Sequence, residues 1–335
     1  MPGLSMASLC GLLGMRKQAF YQHKKRDSRH RRLMLEEFVV QFVLETRQTD
    51  PGIGGDKLHE IYKRRCGSTP GLSVGRDRME RIISENGLTV RKKRRKPRTT
   101  DSRHGLPLYP NLIKDVIPIR PNQIWVADIT YIPIWPGRNS DEYRFCYLSM
   151  LTDSYTKEIV GWCVGETLET RYCIEALKMA VERLAGLETI DLTHHSDRGV
   201  QYASEAYVEL LNELGVKISM TESGDPRDNP VAERLNGTVK NEFMKDIVFH
   251  SAAQVRSVMP RIVEFYNTQR PHMSLDGMMP SEAAKMTGRI RKRWVSYRER
   301  YLDNLEIKEG ASALAPQTLN LIDQDFSSPV NKFQG

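Results

Sequence analysis

Apolar and polar positions divide the chain into two regions of different rhythm. Up to about residue 90 the apolar positions recur at helical spacing. Leu9, Leu12 and Leu13 precede Gly14, which supplies a turn, and a second helix is expected to begin near Arg16. Residues 27–48 read as a long helix burying Leu33, Phe38, Phe42 and Val43. A second helix-turn-helix pattern follows: a helix over 57–66, a break over 67–72, and a helix capped by Ser73 that stops at Asn86-Gly87. From about Asn122 the period shortens to that of strands. Strands are predicted over 123–134, 143–152 and 158–164, with Asp153-Ser154 turning between the last two. Then come a helix over 170–184, a short strand ending at Asp197, a helix over 204–214 and a strand over 216–221. A helix near Asn229 and another over 252–267, burying Val255, Met259, Ile262, Val263 and Tyr266, complete the pattern. Its order predicts an α/β core preceded by an all-α region.

The 335 residues suffice for two or three domains. Expected divisions are 1–48, 49–90, a basic linker over 91–120, the α/β core over 121–285, and a basic strip with a poorly ordered tail over 286–335. Charge sharpens this division. Residues 1–120 hold 26 Lys and Arg against 12 Asp and Glu, whereas residues 121–335 hold 24 against 30. The densest stretch, RKKRRKPR, places Arg91, Lys92, Lys93, Arg94, Arg95, Lys96 and Arg98 in eight positions. Like charges keep such a block extended, and charge segregated in this way points to a polyanionic partner such as DNA. Arg76, Arg78 and Arg81 on the second helix-turn-helix are candidates for phosphate or base-edge contacts. For each helical unit alone, ordinary hairpin packing explains the pattern as well as DNA reading does. RIRKRW at 289–294 is a second candidate contact strip.

No apolar run approaches the roughly 18 residues needed to span a membrane. The N-terminus lacks the charged-then-apolar order of a signal peptide, so the expected location is the cytoplasm. Cys10, Cys66, Cys146, Cys163 and Cys173 are scattered and form no C-x-x-C pair, which indicates neither a disulfide framework nor a zinc module.

Three acidic residues stand out by their settings. Asp128 lies inside the β-branched and aromatic run NQIWVADITYIPIW, where an uncompensated carboxylate is costly. Asp197 closes the strand LTHHSD just before Arg198-Gly199. Glu233 falls in the first turn of a helix opened by Asp228-Asn229-Pro230, with Asn229 or Asp228 as N-cap. A strand interior, a strand end and a helix start can converge three oxygen ligands on a hard cation such as magnesium. Two such ions about 3.5 to 4 Å apart support in-line phosphoryl transfer. His194 and His195 read as packing or hydrogen-bonding residues, because magnesium prefers oxygen.

The motifs WVADITYI, HHSDRGVQY and SGDPRDNPVAERLNGTVKNE, followed by YNTQRPHMSL, resemble the catalytic core of DDE transposases and retroviral integrases. More closely, with 35 residues between Asp197 and Glu233, they resemble the OrfB-type transposases of the insertion-sequence-three family, over residues 5–285. Pro230-Val231 departs from the family's usual alanine and variable residue and leaves the triad intact.

The resemblance implies a ribonuclease H-like core, a mixed five-stranded sheet with flanking helices, with Asp128, Asp197 and Glu233 as catalytic metal ligands. It implies two magnesium ions, replaceable by manganese; the zinc domain of retroviral integrases is not carried over, because His23 and His30 are not followed by paired cysteines. Lys240, seven positions beyond Glu233, maps onto the family's DNA-end lysine and, on a regular helix, shares a face with Glu233. Tyr266, Asn267, Arg270, Pro271 and His272 match a YNxxRPH signature with a structural or DNA-contacting role, and Asn229 is an accessory residue, read first as a cap. The implied partners are the element's terminal inverted repeats, target DNA, a second copy of the chain or more, and an upstream OrfA product; the implied setting is the bacterial nucleoid. An inactive DNA-binding repressor or target-capture protein is the alternative. A ribonuclease acting on hybrids leaves the basic N-terminal region unexplained.

Overall fold

A computed structural model of the chain describes residues 10, 14–90, 105–114, 116–137, 143–184, 191–222, 229–291 and 300. Two compact units are present, Met1–Arg293 and Trp294–Gly335. Only residue 300 of the second is described.

Gly14 adopts the left-handed conformation of a turn, and helix α1, Lys17–Arg47, starts just after it. The two helices expected over this stretch are therefore one. Leu33 and Phe38, expected to be buried, are exposed at 53% and 41%. The reason is length. Helix α1 has 31 residues, about 46 Å, whereas its partners α2 (Gly55–Cys66) and α3 (Arg76–Glu85) have 12 and 10. They cover α1 only toward its C-terminal end and on one side, where Val39, Phe42 and Val43 pack against Leu58, Ile61, Tyr62, Met79 and Ile82. Helix α3 begins two residues later than expected, with Gly75 rather than Ser73 at its N-cap.

Strand β1, Ile124–Ile134, is the centre of the sheet because its β-branched and aromatic side chains are buried on both faces. It pairs antiparallel with β2 (Arg144–Asp153), which pairs antiparallel with β3 (Ile159–Gly165). On its other side β1 pairs parallel with β4 (Thr193–Ser196), and β4 with β5 (Lys217–Met220). The order β3-β2-β1-β4-β5 makes the mixed ribonuclease H-like sheet. Asp153 does turn the chain between β2 and β3: its buried carboxylate accepts from the amides of Asn122, Tyr155 and Thr156 at 2.6, 2.7 and 2.9 Å.

One face of the sheet, with Trp125, Ala127, Ile129 and Leu151, packs on α4 (Thr170–Glu182), the short α5 (Val200–Ala203) and α6 (Glu205–Glu213). The opposite face, with Ile132, Cys146, Leu148 and Met150, packs on α7 (Pro230–Thr238) and α8 (Ala252–Thr268). Helix α7 continues as a π-helical segment, Val239–Phe243, and the short α9 is Pro280–Ala283. The core of the N-terminal helices is continuous with this second layer, since Val39, Ile53 and Tyr62 belong to the same cluster as Phe243, Met259 and Phe265. Among the described residues no helix is long and apolar enough to cross a membrane.

Candidate active site

The parallel register of β1 and β4 pairs Val126 with His195. Two residues further along each chain stand Asp128, still within β1, and Asp197, one residue past β4. Successive side chains alternate across a strand, so equal spacing from paired residues brings the two carboxylates to the same level of neighbouring strands. Both carboxylates bear electrostatically on Cys173 and Tyr202. Asp197 is held by its own turn, its Oδ1 accepting from the Gly199 amide at 3.0 Å.

Asp128 is fixed from two directions. Its Oδ1 accepts from the Ile129 amide at 2.9 Å, and its Oδ2 accepts from Asn236 Nδ2 at 2.5 Å. Asn236 lies on α7 three residues after Glu233, a spacing that places two side chains on one helix face. The same helix is joined to β1 a second time, because Asn229 Nδ2 donates to the Ala127 carbonyl at 3.1 Å. Asn229 occupies the N-cap position with Pro230 in the first turn, but its side chain makes no capping hydrogen bond. The cap expected from the sequence is thus a cross-link between helix and strand. Asn236 was not singled out from the sequence; its signal was the spacing from Glu233.

Glu233 sits exposed in the first turn of α7. Among the described residues no three His, Cys, Asp or Glu side chains stand close enough to hold a metal ion as they are. Asp128 and Asp197 stand on neighbouring strands, and the helix of Glu233 is tied to the strand of Asp128 through Asn236 and Asn229. Their carboxylate donors suit a hard divalent cation, which takes oxygen ligands and keeps positions for water and phosphate.

Just before Asp197, the polar residues His194, His195 and Ser196 of β4 are buried, as is Ser219 on β5. His194 Nε2 and the Tyr207 hydroxyl share a hydrogen bond of 3.0 Å, and His195 Nδ1 and Ser219 Oγ one of 2.8 Å. Burial pushes His194 down to about 3, which keeps it neutral, and pushes the Cys173 thiol up to about 11. Both histidines are packing and hydrogen-bonding residues, in line with their reading from the sequence.

Lys240 falls in the π-helical segment. A π turn is wider than an α turn, so its seven-residue spacing from Glu233 does not amount to two α-helical turns. The YNxxRPH residues are interior. Tyr266, Asn267 and Arg270 are buried. Asn267 accepts from the Ile159 amide and donates to the Ile159 carbonyl, both at 3.0 Å. Arg270 pairs with Asp50 at 3.3 Å and Glu242 at 2.5 Å. His272 Nδ1 meets Ser274 Oγ at 2.9 Å.

The candidate DNA-contact arginines are on α3. Arg76 lies 3.7 Å from Asp56 and 3.4 Å from Asp77, and Arg78 lies 3.9 Å from Glu36. Such outward-facing pairs hold their partners weakly. Arg81 is exposed. Arg91, Lys92, Lys93, Arg94, Arg95, Lys96 and Arg98 lie outside the described residues.

The sheet and the two paired carboxylates define a member of the class carrying the integrase core domain, whose family models match residues 118–226 and 214–280. Over 280 residues the chain is 34% identical to the insertion element IS600 uncharacterized 31 kDa protein of Shigella sonnei, covering 82% of this chain and 96% of that one. Over 281 residues it is 33% identical to the transposase for insertion sequence element IS629 of Shigella sonnei, covering 83% and 90%. The catalytic core domain of HTLV-2 integrase in complex with magnesium aligns with 50% of this chain and 99% of its own at 16% identity and a TM-score of 0.37. The chain belongs to the insertion-sequence-three family of DDE transposases.

Proposed function

We propose that this transposase cleaves the 3′ ends of its element and joins them to new DNA by two in-line phosphoryl transfers at one site, formed by Asp128, Asp197 and Glu233. The observation that carries the reading is the double tether of α7 to β1, through Asn236 to Asp128 and Asn229 to Ala127. It registers the helix of Glu233 against the strand of Asp128. Two magnesium ions, or manganese in their place, would be held by these carboxylates and would supply charge neutralisation and a more acidic water. The carboxylates present fixed oxygens to the site, and the Asn236 amide holds Asp128 in one orientation. In the first transfer water attacks a phosphodiester at the element's end and a 3′-hydroxyl leaves; in the second that hydroxyl attacks another phosphodiester. No covalent link to the protein is formed, because the oxygen nucleophile comes from water or DNA. Lys240 contacts the phosphates of the DNA end.

Arg76, Arg78 and Arg81, the 91–98 block and the projecting basic part of α1 bind the terminal repeats. Residues 21–22 and 24–34 are all exposed and include Lys24, Lys25, Arg26, Arg29, Arg31 and Arg32. Two or more copies act on paired ends in the bacterial cytoplasm, with an OrfA product as a further partner and without zinc.

Asp128→Asn, Asp197→Asn and Glu233→Gln are each expected to abolish magnesium-dependent cleavage and joining while leaving end binding within about twofold, since each amide keeps shape and loses the anionic donor. Normal joining by any one of the three removes that residue from the site.

A further inference from the structure

Four charged side chains from separate parts of the chain meet behind the active-site helix. Glu242 belongs to the π-helical continuation of α7. Arg270 comes from the segment after α8, Asp50 from the loop after α1, and Lys57 from α2. Arg270 Nη2 donates to Glu242 Oε2 at 2.5 Å and its Nε to Asp50 Oδ2 at 3.3 Å. Lys57 Nζ donates to the same Glu242 oxygen at 3.4 Å. Arg270 also lies over the Tyr266 ring, 5.6 Å from its centroid. Two anions face two cations in the cluster, with Arg47 also near Asp50, and Asp50 and Arg270 are 0% and 2% exposed.

The main chain joins at the same point. Gly52 donates its amide to the Glu242 carbonyl at 2.9 Å. A Cβ at Gly52 would stand 2.4 Å from Glu242 Cα, so the loop between α1 and α2 touches the π segment backbone to backbone. The helices proposed to read DNA thus meet the helix proposed to carry Glu233 at Glu242, beside the apolar core that both share.

A merely cohesive contact would be served as well by apolar side chains, because desolvating a buried ion pair offsets most of its attraction. What ions add is orientation: Glu242 receives donors from two independent elements, and any movement of α2 against α7 breaks one of them. We propose that Glu242 and Arg270 are positioning residues that set α7, and with it Glu233, according to the placement of the N-terminal helices, so that binding of a terminal repeat orders the active site. The proposal rests on the assignment of Glu233 to that site.

Amide hydrogen exchange on the full chain, with and without an end duplex and in the absence of magnesium, tests it. Binding is expected to slow exchange over 233–243 as well as over 55–85. Slowing confined to 55–85 overturns the proposal, whatever any variant does. In Lys57→Met and Glu242→Gln the response over 233–243 is expected to vanish, with end affinity within about twofold and the cleavage rate at least tenfold lower. Glu242→Asp should restore part of both. Retention of the response in folded Glu242→Gln also overturns it. Glu233→Gln separates this from the site assignment: it should respond in exchange like the wild type while cleaving nothing. If it cleaves normally the site assignment fails, and the exchange response is then read without it.

Discussion

Single residues at the site do more joining than the sequence let one read. Asp128, Asp197 and Glu233 stand out because carboxylates in an apolar strand, at a strand end and in a first helical turn are each unusual. Asn229 was legible as a helix start but not as a link to Ala127, since its pairing partner lies 102 positions away. Asn236 and Arg270 are opaque for the same reason: their partners Asp128 and Asp50 are remote in sequence, and an isolated Asn or Arg is ordinarily solvated. Asp50 also has a shifted carboxyl. Burial pushes its carboxyl up to about 6 against the opposing pull of Arg270, with Glu242 repelling it and Lys57 attracting it, and Arg47 also near. Glu242 is pushed up by burial too, but Arg270 and Lys57 outweigh that, leaving it below the usual range. A carboxyl raised in the folded state favours folding below its unfolded value of about 3.9, and that contribution is lost as the pH climbs through the folded value. Relative to Asp50→Asn, the wild type is therefore expected to lose on the order of 2 to 3 kcal/mol between pH 4 and 6. Glu242 contributes a slope of the reverse sign to both proteins, so the difference reads Asp50 together with its coupling to Glu242. Parallel denaturation midpoints across this range would show that Asp50 does not titrate there.

Elements were legible wherever their period was strong. The five strands and the helices at 170–182, 205–213 and 252–268 fall within a few residues of their expected bounds. What periodicity cannot convey is which length of a helix finds a partner. Leu33 and Phe38 continue the apolar pattern of α1, yet both stay exposed, although the Phe38 ring meets the edge of Tyr62 on α2 at 6.3 Å between centroids. The π segment was equally hidden, because one widened turn leaves the apolar spacing of Leu235, Val239 and Phe243 acceptable for either helix. The loop at Gly52 tests the packing of these elements. Gly52→Ala would force the 2.4 Å approach to Glu242 apart, at a cost of about 1 to 3 kcal/mol. Denaturant unfolding should register that loss, whereas an unchanged midpoint would mean that the loop and the π segment separate freely.

Across the whole molecule, the segregation of charge bears on the DNA contacts proposed for the N-terminal region. With 26 basic and 12 acidic residues before position 121, end binding should weaken steeply with salt as counterions are displaced. Replacing the seven cations of 91–98 with glutamine should flatten the plot of log affinity against log salt by about 0.9 for each phosphate the block no longer neutralises. An unchanged slope would take this block out of the interface. Asn267 has a different reach. An outer strand such as β3 offers unpaired amides and carbonyls on which a foreign strand can template itself. Here the Asn267 amide imitates the missing neighbour at Ile159, while Arg183 and Arg256 donate to the carbonyls of Ile159 and Val164 at 2.8 Å each. At the opposite margin Met220 donates to Pro110, at 3.3 Å. Both rims of the sheet are thus stoppered at these points, so a foreign strand laid along either would find some of its hydrogen-bonding groups already taken.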